Sequence, residues 1–201
     1  MSSDPTMRLT NVNRRRFIGA VATASVAAIA GCSGDSGSDG SGDESEETDT
    51  TESTEPVGPE TQIRCWIDEN RNRISTGRDE LRETVRAFDD EDYAQVMYHS
   101  RLARDEYDFL NTSAEELSVE DSQLETALEN YFYHAFQASS AAYSAGFEIE
   151  ENDDPAAADA MIERLNRHSN DAADARSALK SQLGVDESTE LSEINVDSER
   201  C

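Results

Sequence analysis

The chain has 201 residues, with 44 acidic side chains against 17 basic ones and a formal net charge of −27. That balance argues against a nucleic-acid partner, because phosphate recognition needs a concentrated basic face. The acidity itself names no substrate; it describes a hydrated, solvated surface.

The first 32 residues carry Arg8, Arg14, Arg15 and Arg16 against a single acid, Asp4, and the run from Phe17 to Gly31 contains no charge. About fifteen residues at ~1.5 Å rise cover only ~22 Å, short of a ~30 Å hydrocarbon core. The run therefore reads as the hydrophobic region of a signal peptide rather than a spanning helix. Arg14-Arg15 followed by Phe17-Ile18 resembles a twin-arginine export signal, whose passengers cross the membrane already folded. Ile29-Ala30-Gly31-Cys32 resembles a bacterial or archaeal lipobox, which implies that Cys32 is lipidated and becomes the mature N-terminus. Two acyl chains anchor stably where one holds only marginally. The expected location is the outer face of the cytoplasmic membrane, with the membrane as first partner. An uncleaved N-terminal anchor is the alternative and leaves the remainder on the same side.

Without residues 1–32 the chain has 43 acids and 13 bases, a balance near −30, and its one lysine is Lys180. This excess of acid, with arginine almost replacing lysine, resembles proteins of extreme halophiles, where salt screens the mutual repulsion of surface carboxylates. Residues 33–60 hold ten acids and no base among Ser, Gly and Thr, with Pro56 and Pro59 near the end. So little apolar surface cannot offset the entropy of ordering, and the segment reads as a disordered tether.

Residues 61–201 form the domain, and their periodicity is helical. A first seam runs Ile63, Ile67, Asn70, Ile74, Gly77, Leu81, Thr84 and Phe88. Asp89 or Asp90 is expected to cap a second helix, whose seam runs from Tyr93 through Ser100, Ala103 and Tyr107 to Leu110. Asn111–Leu117 reads as a connection, and Ser118 with Asp121 resembles a capping box opening a third helix. That helix carries one stripe from Leu124 to Ala145 and a second of Phe132, Phe136, Tyr143 and Phe147, so it should be the most buried. Gly146 is its expected stop. Asp154-Pro155 opens a fourth helix, and Gly184 ends it. The fold class is all-α, an antiparallel four-helix bundle of up-down-up-down topology. In that topology the start of the first helix and the end of the fourth share one end. Cys65 and Cys201 are then placed for one intramolecular disulfide, the bridge that two cysteines allow in an exported chain. The tail offers Leu191, Ile194 and Val196 as docking points.

Chemistry is thinly marked. No Gly-rich phosphate loop, Gly-x-Ser-x-Gly elbow or Cys–His pairing is present, so the chain leans away from an enzyme, with no cofactor implied. The residues three places before His99, His134 and His168 are Val96, Tyr131 and Leu165, so the Glu-x-x-His pairs of di-metal bundles are absent and no metal ligand is assigned. A common layer for all three histidines is not expected, because His99 and His134 lie at different distances in sequence from the Asn111–Ser118 turn. Arg64, Arg71 and Arg78, with Arg82, border the first seam. They read as interhelical ion pairs or, alternatively, as a docking stripe. Asn111-Thr112-Ser113 is a glycosylation sequon. The leading expectation is a non-catalytic interaction or accessory domain with an extracellular protein partner. Its rival is a small-ligand- or metal-binding bundle with a pocket among His99, Tyr131, His134 and Tyr143.

Overall fold

A computed structural model describes residues 57–194 and Cys201. The export signal (Arg14, Arg15, Phe17), Cys32, Val196 and most of the 33–60 segment lie outside the described residues. Five α-helices follow in order: α1 Pro59–Glu69, α2 Arg71–Asp89, α3 Tyr93–Glu115, α4 Ser122–Glu150 and α5 Pro155–Gln182, then a 3₁₀ turn Leu191–Glu193. The described residues are all helical or irregular, with no strand among them. None of these helices is long and apolar enough to cross a membrane.

The expected first helix is two helices. Asn70 leaves helical geometry at φ −98° and ψ 7°, and its Nδ2 donates to the Trp66 carbonyl at 2.9 Å. A side-chain amide that bonds its own backbone competes with helix propagation, and a seam position is here also a break. Helix α3, the second of the expected helices, is capped by Asp92, which accepts from the Gln95 amide at 3.1 Å, not by Asp89 or Asp90. Glu91 takes a left-handed φ of 58° to make that tight link. Helix α3 runs on to Glu115, so the sequon Asn111 is helical rather than in a connection. Its Nδ2 donates to Glu115 Oε1 at 2.7 Å.

Asp121, not Ser118, caps α4, accepting from the Gln123 and Leu124 amides. Asp154 caps α5 through the Ala156 and Ala157 amides, with Pro155 in the first turn as expected. At the far end of α5, Gly184 takes φ +62°. Its amide donates to Ser181 O and that of Val185 to Lys180 O. This is the Schellman closure that glycine makes without steric cost. Gly146 stops nothing: α4 continues to Glu150. Any Cβ at Gly146 would lie 3.0 Å from Val96 Cγ1 and 3.1 Å from Met97 Cγ, so this glycine exists to let α3 approach.

Helix α2 packs on α3, α3 on α4, and α4 on α5. The larger core cluster is built from Ile63, Trp66, Ile67, Tyr107, Leu128, Phe132 and Leu179, among others, and takes in Leu183, Leu191 and Ile194 from the chain after α5. Trp66 packs on Phe132 with ring centroids 5.3 Å apart and donates from Nε1 to Ser113 Oγ at 3.0 Å. A smaller cluster joins Ala138, Ala141, Ala142 and Leu165, with Val85, Phe88 and Ile162 against it. Helix α4 supplies the most buried residues, as expected, but of its second stripe only Phe132 is buried: Phe136 and Tyr143 are half-buried and Phe147 is exposed.

A strap, residues 183–194, lies back over α1 and α2, and the arginine stripe holds it. Arg64 donates to the Leu183 carbonyl, and Arg71 to the Ile194 carbonyl at 3.1 Å. Glu190 receives Arg82 at 3.3 Å and Arg78 at 3.6 Å. Most cross-chain partners of the stripe are therefore in the strap rather than on neighbouring helices. Beyond it, Cys201 is joined to Cys65 of α1 by a disulfide spanning 136 residues of sequence. A loop of that length would stabilise by up to about 5 kcal/mol in the chain-entropy account.

Candidate functional site

The four residues proposed from sequence as one pocket go to separate surroundings. His99 on α3 places Nδ1 2.7 Å from Glu80 Oε2 on α2. Tyr143 on α4 lies under the Arg104 guanidinium of α3, 5.5 Å from its ring centroid. Tyr131 stands against Phe132, ring centroids 4.7 Å apart, and shares a hydroxyl hydrogen bond with Tyr107 of α3. Burial pushes both phenols above their ordinary value, Tyr107 well above it, and for Tyr107 the bond to Tyr131 adds to the effect.

His134 finds a different companion. Residues 134 and 171 sit symmetrically about the connection at Asn152–Asp153. Folding α5 back on α4 therefore brings one turn of α5 opposite His134. That turn presents His168 and Asp171, which share a helical face at i, i+3 spacing. The Nδ1 atoms of His134 and His168 are 3.1 Å apart, and His134 Nδ1 is 3.9 Å from Asp171 Oδ2. One donor atom from each of the three side chains lies within 4.8 Å of the others, and all three residues are half-buried. Burial, with His134 and Arg167 beside it, pushes the His168 imidazole below its ordinary value, against the opposing pull of Asp171.

Two histidines thus meet at one level, while His99 stays apart with its glutamate. Asp171 is invisible to the Glu-x-x-His spacing, which places the carboxylate three residues before the histidine. The available signal was the one three residues after, His168-x-x-Asp171. A separate open cleft of about 270 Å³ lies beside the disulfide, lined by Gln62, Trp66, Leu117 and the two cysteines among others. Its walls offer little polar chemistry beyond Gln62 and Glu69.

No protein-family model matches the chain, and neither a curated protein nor a solved structure is significantly similar to it.

Proposed function

We propose that this chain is an exported, lipid-anchored surface protein whose helical domain serves as a non-catalytic interaction or accessory module outside the cell. The observation that carries the reading is the Cys65–Cys201 disulfide. Structural disulfides persist in oxidising compartments and are rare where thiols are kept reduced. The position of this one, closing almost the whole domain, suits a protein that works outside the cell. The export signal at Arg14, Arg15 and Phe17 and the lipidated Cys32 supply the route and the anchor, and the acidic 33–60 segment is the spacer between membrane and domain. An interior filled by Trp66, Tyr107, Phe132 and their aliphatic neighbours supports a binding surface rather than an internal reaction chamber.

Within the domain, α2 to α5 are the members of an up-down-up-down antiparallel four-helix bundle, with α1 and the strap closing one end. Short links and the packing of each long helix on the next support that topology. The extracellular partner is a protein, met across the outer helix faces.

The test is fractionation under native salt. The wild-type chain should sediment with membranes and resist extraction by salt alone, and Cys32→Ala should leave the domain soluble. Sedimentation of that variant with the membrane, or recovery of full-length chain with residues 1–32 in the cytosol, would remove the anchor from the account.

A further inference from the structure

The His134–His168–Asp171 cluster lies outside everything the surface-module reading uses, and its chemistry is specific. Two imidazole nitrogens and a carboxylate oxygen converge from two adjacent helices. Imidazole ligation suits zinc, copper, nickel and iron, whereas hard cations such as Ca²⁺ and Mg²⁺ take oxygen ligands. In a tetrahedral site with metal–ligand bonds of ~2.0–2.1 Å, neighbouring donors lie ~3.3 Å apart. The two Nδ1 atoms, at 3.1 Å, already meet that spacing. The Asp171 oxygen, 3.9 Å from His134 Nδ1, is about 0.6 Å beyond it. Its side chain is 45 % exposed, so the carboxylate can turn toward the two imidazoles without disturbing the core.

We propose that His134, His168 and Asp171 bind one divalent transition-metal ion of the zinc class on the α4–α5 face. The three donors leave a coordination position for water or an incoming ligand, the arrangement of open rather than structural sites. A site this accessible holds its ion exchangeably. Arg164 and Arg167 lie close enough to His168 to oppose positive charge there. The site therefore selects by coordination bonds and not by field, which sets it apart from the acidic surface. It needs neither the export route nor the lipid anchor, so it stands if those fail.

The experiment uses the full chain, purified in detergent and stripped with chelator, with Zn²⁺ titrated against a chromophoric chelator in high salt. One Zn²⁺ per chain is expected. His134→Ala and His168→Ala should each weaken it by at least the ~10–100-fold that loss of even an outer-shell partner costs. Asp171→Asn should also weaken it, and His99→Ala should bind as wild type does. Co²⁺ in place of Zn²⁺ should give the intense visible absorption of a tetrahedral site, absent from the histidine variants. In the unmutated chain, Zn²⁺ should protect His134 and His168 from diethylpyrocarbonate while His99 keeps its own rate. That measurement decides the matter even where a variant fails to fold. No binding, binding unchanged by the histidine substitutions, or protection that treats the three histidines alike would overturn the site.

Discussion

The two core clusters hold their helices by opposite means. In the larger one, Trp66, Tyr107 and Phe132 fill space between helices with big side chains, and the strap and disulfide close over them. In the smaller one, Ala138, Ala141 and Ala142 leave little to interpose around Leu165, and next to it along α4 Gly146 lets α3 approach directly. The first arrangement derives its stability from apolar area removed from water, the second from close contact over small residues. Deleting volume should therefore damage the first most, and adding it should damage the second. His134 sits on α4 between Phe132 of the first cluster and Ala138 of the second.

Phe132→Ala should show the largest effect, a loss of about 3–5 kcal/mol for a buried aromatic. Chemical denaturation with the disulfide intact measures it, and a loss under about 0.5 kcal/mol, the scale of a surface change, would deny that Phe132 is the keystone of that cluster. Gly146→Val comes next. The gain in helix propensity from glycine to valine, only a few tenths of a kcal/mol, is outweighed by contacts at 3.0–3.3 Å with Val96, Met97 and the Tyr93 carbonyl. Overpacking of this kind costs about 1–3 kcal/mol, and a stabilised variant would show that α3 and α4 have room to part. Glu190→Ala should cost roughly 1 kcal/mol or less, because its partners Arg78 and Arg82 are partly solvated. Faster amide exchange confined to residues 183–194 is the sharper readout. Unchanged exchange there would mean that the buried Leu191 and Ile194 hold the strap without the ion pairs.

The last effect is nil at neutral pH. Tyr107 and Tyr131 hold their protons above the ordinary tyrosine value of 10.0 because they are buried. The unfolded chain gives up those protons first, so it binds fewer protons than the folded chain above pH 10. Their contribution is thus fully present below the unfolded value and is lost as pH rises toward the folded values. Alkaline denaturation should be shallower in Tyr107→Phe. Phenolate absorbance from both tyrosines while the chain is still folded would refute their burial as ionisable groups.

Local signals in the sequence read true where a residue's effect does not depend on distant partners. Asp154-Pro155 and Gly184 mark α5 by cap chemistry alone, and the seam residues Ser100, Ala103, Tyr107 and Leu110 are buried as their spacing requires. The failures share a cause. Asn70 fits the seam by position, but its amide turns on its own helix. Gly146 looks like a terminator until Val96 and Met97 are known to lie against it. The arginine stripe was legible as a set of ion-pair donors, yet its partners depend on where the strap returns, which no periodicity encodes. The histidine cluster was within reach of simple register arithmetic about residues 152–153, but only if the downstream aspartate was counted.

Lys180 carries the chain's single side-chain amine, and it is 2 % exposed, with Nζ donating to the Glu187 carbonyl at 2.7 Å under the strap. Acylating reagents and amine cross-linkers thus find no lysine on the outside of the folded domain. Labelling at that one position would report each occasion on which the covering segment lifts, so the molecule carries its own opening gauge.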